Sequence, residues 1–334
     1  MDSVIQTMAD FEAQVGAQPT AVNLKVINHL DALALKWLAL SPLAFVAFSD
    51  TERVDVTIAG GQRGFAATPA PDQLRLPRES LDEPGYAHAG RGMGLLFPIP
   101  GLGETLRVNG TVEAVTGDDI VMTVHECYAH CAKALLRSQF WQPVDTPLFA
   151  GMEDFLIAAR YMALATADAE LNTDVSPKGD AAGMLVQVCD GGIRYADRPG
   201  NRRMDSFRNI LSRPNAAAVL VVPGCTHVMT VQGQMQIDAD PALRQPFAVQ
   251  DKSPKLVTTF LSPAVALRES AALVRAQLWA APAVPADIDP AEVFAAHVKL
   301  NKARGWSAAI AKGLVSVPGL MRKGLEQDYK RNLY

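Results

Sequence analysis

The chain has 334 residues, room for about two domains, and 49% of them are hydrophobic, enough to build real cores. Its 31 basic and 35 acidic residues leave a formal charge of −4 and are interspersed rather than blocked, which excludes a nucleic-acid-binding stripe. Four cysteines, Cys127, Cys131, Cys189 and Cys225, are too few for a disulfide scaffold, and no charged-then-apolar leader opens the chain, so a cytoplasmic setting is expected.

About the first 40 residues read as a helical stretch. The most membrane-like segment, LDALALKWLALSPLAFVAF at 30–48, carries Asp31, Lys36 and a helix-breaking Pro42; it is expected as a buried helix followed by a strand, with no transmembrane span. Further along, the chain repeats itself. PGLGETLRVNGTVEAV (100–115) has a counterpart in PGCTHVMTVQGQMQID (223–238). Leu106, Val108, Val112 and Ala114 alternate with Arg107, Asn109, Thr111 and Glu113, and Met229, Val231, Met235 and Ile237 alternate with polar residues in the same way. Period two predicts a half-buried antiparallel strand, with a bulge at Gly110 or Gly233.

The correspondence continues on both sides. VDVTIAGGQRGF (54–65) lies over TDVSPKGDAAGM (173–184), matching Asp55 with Asp174, Gly60 with Gly179 and Gly64 with Gly183. KALLRSQFW (133–141) lies over AALVRAQLW (271–279), matching Arg137 with Arg275 and Trp141 with Trp279. The pattern predicts an internal duplication of a mostly-β unit: 41–141 and 151–280, joined by a proline-bearing linker at 142–150, after an N-terminal extension at 1–40 and before a helical tail at 281–334. CDGGI (189–193) marks a tight hairpin. In the tail, Asp289, Pro290 and Glu292 have the spacing of a helix start, and GLMRKGLEQDYKRNLY is amphipathic and basic, suited to packing on its own protein or a partner rather than a membrane.

ADRPGNRRMDSFRNILSRPN (196–215) sets two arginines between a Pro199-Gly200 turn and a helix running through Phe207 and Ile210. A helix mouth presents free N–H groups and partial positive charge, guanidinium groups add paired hydrogen bonds, and Lys178 adds a point charge. A phosphate-bearing ligand fits this set; a solvated helix face is the alternative.

LATAD (164–168), DVSPKGD (174–180) and DRPGNRRMDSFRNIL (197–211), followed by Pro214 and Asn215, resemble a bacterial subgroup of the pyridoxamine 5'-phosphate oxidase-like flavin-binding split barrels. The resemblance covers about 150–280 well, the first half less well and the tail after 280 not at all. It implies a mainly β protein with flanking helices (α+β): two tandem split β-barrels of six antiparallel strands forming an intrachain pseudo-dimer, with FMN at their interface. It sets Asn201, Arg202 and Arg203 at the FMN phosphate, with Ser176, Lys178 and Ser206 nearby.

The two halves have diverged in opposite places. The first has Ala59 where the second has Lys178, and nothing like DRPGNRR; the second has Arg268, Glu269 and Ala271 where the first keeps His130, Cys131 and Lys133 within HECYAHCAKALLRSQFW (125–141), which resembles the subgroup's closing helix. One composite site is expected, with phosphate on the second barrel and ring-side contacts from the first. His130, Lys133 and Arg137 are the candidate catalytic residues and Trp141 a candidate cofactor contact. His130 is the acid–base candidate because its reference pKa lies near working pH, and Lys133 or Arg137 would set a cation beside the flavin. Arg137 and Trp141, having counterparts in Arg275 and Trp279, also read as packing residues. His125, Cys127, His130 and Cys131 lack a second cluster to complete a metal site, and no metal is expected. The reading is an FMN-dependent oxidoreductase acting on a small organic substrate, with reduced nicotinamide as a possible donor, no nucleic-acid or membrane partner, and a pseudo-dimeric monomer or a homodimer as its assembly. The alternatives are a deazaflavin- or haem-using relative and a flavin- or partner-binding module without turnover.

Overall fold

The computed structural model describes residues 3–144, 149–200, 203–280, 288–301 and 320–334. Its first half runs α2 (Ala32–Leu40), β2 (Leu43–Ser49), β3 (Val54–Gly60), β4 (Ala67–Ala70), β5 (Gln73–Pro77), β6 (Gly92–Pro98), β7 (Thr105–Val115), β8 (Asp119–His130) and α3 (Lys133–Arg137). The second runs α4 (Met152–Ala158), β9 (Tyr161–Ala167), β10 (Thr173–Gly179), β11 (Val186–Cys189), β12 (Gly192–Ala196), α5 (Asp205–Ser212), β13 (Asn215–Val221), β14 (His227–Asp238), α6 (Pro241–Arg244), β15 (Val257–Glu269) and α7 (Ala271–Ala276). Flanking these are β1 (Val4–Ile5) and α1 (Met8–Val15) at one end, α8 (Pro290–Leu300) and α9 (Leu320–Arg331) at the other.

The strand order of the two sheets is the same. The first is β3-β2-β6-β7-β8-β5-β4 and the second β10-β9-β13-β14-β15-β12-β11, all antiparallel. The fold is therefore mainly β with flanking helices, two tandem split-barrel-like sheets. Each order runs through seven strands rather than the expected six, because a short outer hairpin arm, β4 or β11, pairs back on its neighbour, and β1 adds an eighth strand to the second sheet. At the second hairpin Gly191 takes a positive φ of 73° in the two-residue turn. Register shifts occur where the repeated glycines lie, beside Gly110 in β7 and across Gly233 in β14. Among the described residues no helix is long and apolar enough to cross a membrane.

Alternation along β2 and β9 explains how two sheets become one body. Ala44, Val46 and Phe48 fill the first barrel's core, while Leu43, Phe45 and Ala47 join a third core between the sheets. Met162 and Leu164 of β9 likewise fill the second barrel, and Tyr161, Ala163 and Ala165 meet β2 and β3. Each closing helix crosses to the other half: α3 packs on β10 and α7 on β3.

The chain ends cross over as well. The expected N-terminal helical stretch begins with a strand, β1, which pairs with β14 of the second sheet, and Phe11 of α1 packs on Phe207 with ring centroids 4.4 Å apart. Conversely, Ile288 and Val293 beside and within α8 enter the core of the first barrel. Asp289 caps α8 through the Ala291 N–H at 2.9 Å.

Candidate functional site

A cavity of about 510 Å³ opens where α3 of the first half lies over β10 of the second. That is within the usual range for ligand pockets, roughly 300–1,000 Å³. Lysine and arginine outnumber aspartate along its wall, which favours an anionic ligand.

From β10, Ser176 and Lys178 point to this space. The Ser206 hydroxyl, in the first turn of α5, donates to Ser176 Oγ at 2.7 Å, and Arg107 Nη2 donates to the same oxygen at 2.9 Å. Lys178 makes no hydrogen bond or ion pair among the described residues; its ammonium stands 5.4 Å from the Phe207 ring centroid and 5.9 Å from that of Tyr195. Burial lowers its pKa, opposed by the charge of Asp197. Arg203 lines the same cavity, with Nε 2.5 Å from Asp205 Oδ2 and its guanidinium 4.4 Å over the Tyr128 ring. Asn201 and Arg202 lie outside the described residues.

From the first half come His130, Lys133 and Arg137. The structure gives each of them definite surroundings. Burial, with Arg107 and Lys25 nearby, holds the His130 imidazole well below its usual range, and its Nδ1 is buried with no hydrogen-bond partner among the described residues. Lys133 is engaged by Asp328 of α9 at 2.7 Å. Arg137 donates from Nε to the Gly179 carbonyl at 2.9 Å and from Nη1 to the carbonyls of Pro199 and Leu333 at 3.0 and 2.8 Å. Its counterpart Arg275 does the same in the other half, to Gly60 at 3.0 Å and Ser80 at 2.7 Å, so this arginine staples a closing helix to a strand. Trp141 does not line the cavity. Its indole N–H reaches the Leu102 carbonyl at 2.5 Å and its ring packs on Phe140 in the core between the sheets.

Arg107 is the residue that sequence reading passed over. Alternation sets it on the polar face of β7, yet it is only 1% exposed, because that face meets β10 rather than solvent. It donates to Tyr128 Oη at 2.8 Å, Asp174 Oδ1 at 3.1 Å and the Val175 carbonyl at 2.5 Å. Asn109, two residues on, reaches Asp174 Oδ1 at 2.8 Å. Burial raises the Asp174 carboxyl to about 6 even with Arg107 beside it. The other half repeats part of this: Gln232, the counterpart of Asn109, donates to Asp55, the counterpart of Asp174, at 3.2 Å.

At the pseudo-symmetric position the chain itself packs in. Leu81 bridges Ala59, which stands where the second half has Lys178, and the Asp82 carboxylate accepts from the Ser270 hydroxyl at 2.6 Å and the Ala272 N–H at 2.7 Å, sealing the start of α7.

No protein-family model matches the chain, and no curated protein matches it significantly. Among solved structures it is similar to HupZ of Group A Streptococcus (17% identity over 38% of this chain and 98% of that one, TM-score 0.31). It is also similar to an F420 reductase (20% identity, 36% and 98% covered, TM-score 0.27) and to general stress protein 26 of Bacillus anthracis (18% identity, 34% and 87% covered, TM-score 0.26). Each match spans about one sheet's share of the chain, and at such identities and TM-scores the architecture is read from the strand pairing itself.

Proposed function

We propose that this cavity holds FMN and that the protein is an FMN-dependent oxidoreductase acting on a small organic substrate. The observation that carries the reading is Lys178: a half-buried ammonium that makes no hydrogen bond or ion pair among the described residues, facing a cavity built from both halves, with Asp197 as the carboxylate whose charge acts on it. Such a charge is costly unless an anion completes it. The residues fit a phosphate: Lys178 supplies charge, Ser176 and Ser206 supply hydroxyls, and the opening turn of α5 supplies backbone N–H groups. The resemblance of DVSPKGD and DRPGNRRMDSFRNIL to the flavin-binding split barrels supports the same assignment.

When bound, FMN supplies hydride transfer at its N5. On this reading Phe11 and Val15 of α1 shield one wall from water, and His130 would offer its imidazole to the bound group as a hydrogen-bonding partner. Arg107, fixed by four partners, provides a positive charge that needs no rearrangement as charge develops. The involvement of Lys133 and Arg137 in chain contacts favours a second reading, a flavin-binding module without turnover.

The test is an absorbance spectrum of purified protein with chromatography of the released chromophore, beside Lys178→Ala. Flavin bands identified as FMN and lost in the variant support the assignment; a protein that stays colourless in FMN refutes it. Reduction of bound flavin by a reduced nicotinamide, followed by reoxidation, separates enzyme from module.

A further inference from the structure

The last described segment of the chain returns to the cavity. Asp328 of α9 pairs with Lys133. The Tyr329 hydroxyl accepts from the Ala132 N–H at 3.3 Å and donates to Glu104 at 3.0 Å. Arg137 donates to the Leu333 carbonyl, and the Tyr334 hydroxyl donates to Asp180 at 3.0 Å while its ring lies 5.3 Å from the Arg198 guanidinium. Tyr334 is itself part of the cavity wall. The segment therefore bridges the first half at Lys133 and Ala132 and the second at Asp180 and Arg198.

We propose that Asp328–Tyr334 is a strap that closes this cavity and governs passage of its ligand. Two features of the contacts support opening. They are polar, and Asp328 is 44% exposed, so water reaches its pairing with Lys133 from one side. No described side chain of the segment belongs to a hydrophobic core cluster, unlike Val293 of α8. The other half supplies the internal comparison. There the start of α7 is sealed by Asp82, from a turn whose neighbour Leu81 is buried in the barrel core. At α3 the equivalent cover comes from a separate segment held at its surface. The first arrangement is a permanent plug; the second is the same cover made removable. The strap requires a ligand in this cavity and does not depend on that ligand being FMN.

Cys131 gives a built-in reporter, since it lines the cavity one residue before Ala132. In the full-length protein carrying Cys189→Ser, the rate at which Ellman's reagent modifies Cys131 is compared with and without Asp328→Ala/Tyr334→Ala, with buried Cys225 as the indicator of global opening. The expected result is a rise of roughly 10-fold or more at Cys131 alone, the effect of losing one ion pair and one part-buried hydrogen bond. An unchanged rate, or an equal rise at Cys225, overturns the strap. Release of FMN on dilution should accelerate by a similar factor. If the wild-type protein takes up no FMN, the proposed function fails, and the thiol rates still decide the strap.

Discussion

Gly179 of β10 lies so close beneath Ala134 of α3 that a Cβ on it would stand 1.9 Å from the Ala134 carbonyl oxygen. Gly60 and Ala272 have the same relation in the other half, at 2.2 Å. Alanine at either position must push a closing helix away, at a cost of about 1–3 kcal/mol. Urea unfolding should show Gly179→Ala and Gly60→Ala destabilised alike. Flavin titration should show only Gly179→Ala weakened, by roughly 10-fold or more, because only α3 lines the cavity. Equal weakening in both would make these glycines general determinants of interdomain packing.

Lys178→Met removes the half-buried ammonium at little change in volume. FMN affinity should fall about 10- to 100-fold, as expected for loss of a charged hydrogen bond. The melting temperature should hold or rise, because the burial cost disappears with the charge. Fluorescence quenching and calorimetry on one preparation check both; unchanged affinity would remove Lys178 from the site.

Arg137 and Arg275 make matching bonds to strand and loop carbonyls. Each arginine changed to alanine should cost about 2–3 kcal/mol, since buried carbonyls lose charged donors. If Arg137→Ala abolished turnover while leaving stability intact, the staple assignment would fall.

His130 supplies a pH dependence. The folded chain keeps this imidazole neutral in a range where the unfolded chain protonates it, through burial and the charges of Arg107 and Lys25. A folded-state pKa below the unfolded value contributes stability that is present above pH ~6.5 and lost as pH falls below it. His130→Gln should flatten the acid limb of the stability curve by up to about 1.4 kcal/mol per pH unit below pH ~6.5. Coincident curves from urea unfolding at each pH would mean that the imidazole charges in the folded protein.

Much of the fold was legible because its signals are local. Period-two alternation marks β7 and β14, repeated glycines mark their register shifts, and the matched segments required two copies of one unit, which the common strand order bears out. The candidate site was legible where the residues themselves are chemically conspicuous, as with Ser176, Lys178, Arg203 and Ser206, all of which line one cavity. Arg107 was not, because alternation tells which face a side chain takes but not what covers that face. The covering strand, β10, is remote in sequence. The surroundings of His130 were hidden for the same reason: a reference pKa assumes water, whereas burial, with Arg107 of β7 and Lys25 nearby, lowers it in the fold.

The sequence by itself determined the duplication, the strand pattern and the loss of Lys178 from one copy, since these depend on residue type and spacing along the chain. Only the tertiary structure decided that β1 and α1 serve the second barrel while α8 serves the first. It also decided that Asp82 seals one position while the C-terminal segment covers the other. Those outcomes rest on contacts between segments distant in sequence, where free energy depends on which surfaces meet and exclude water, a quantity that no local pattern encodes.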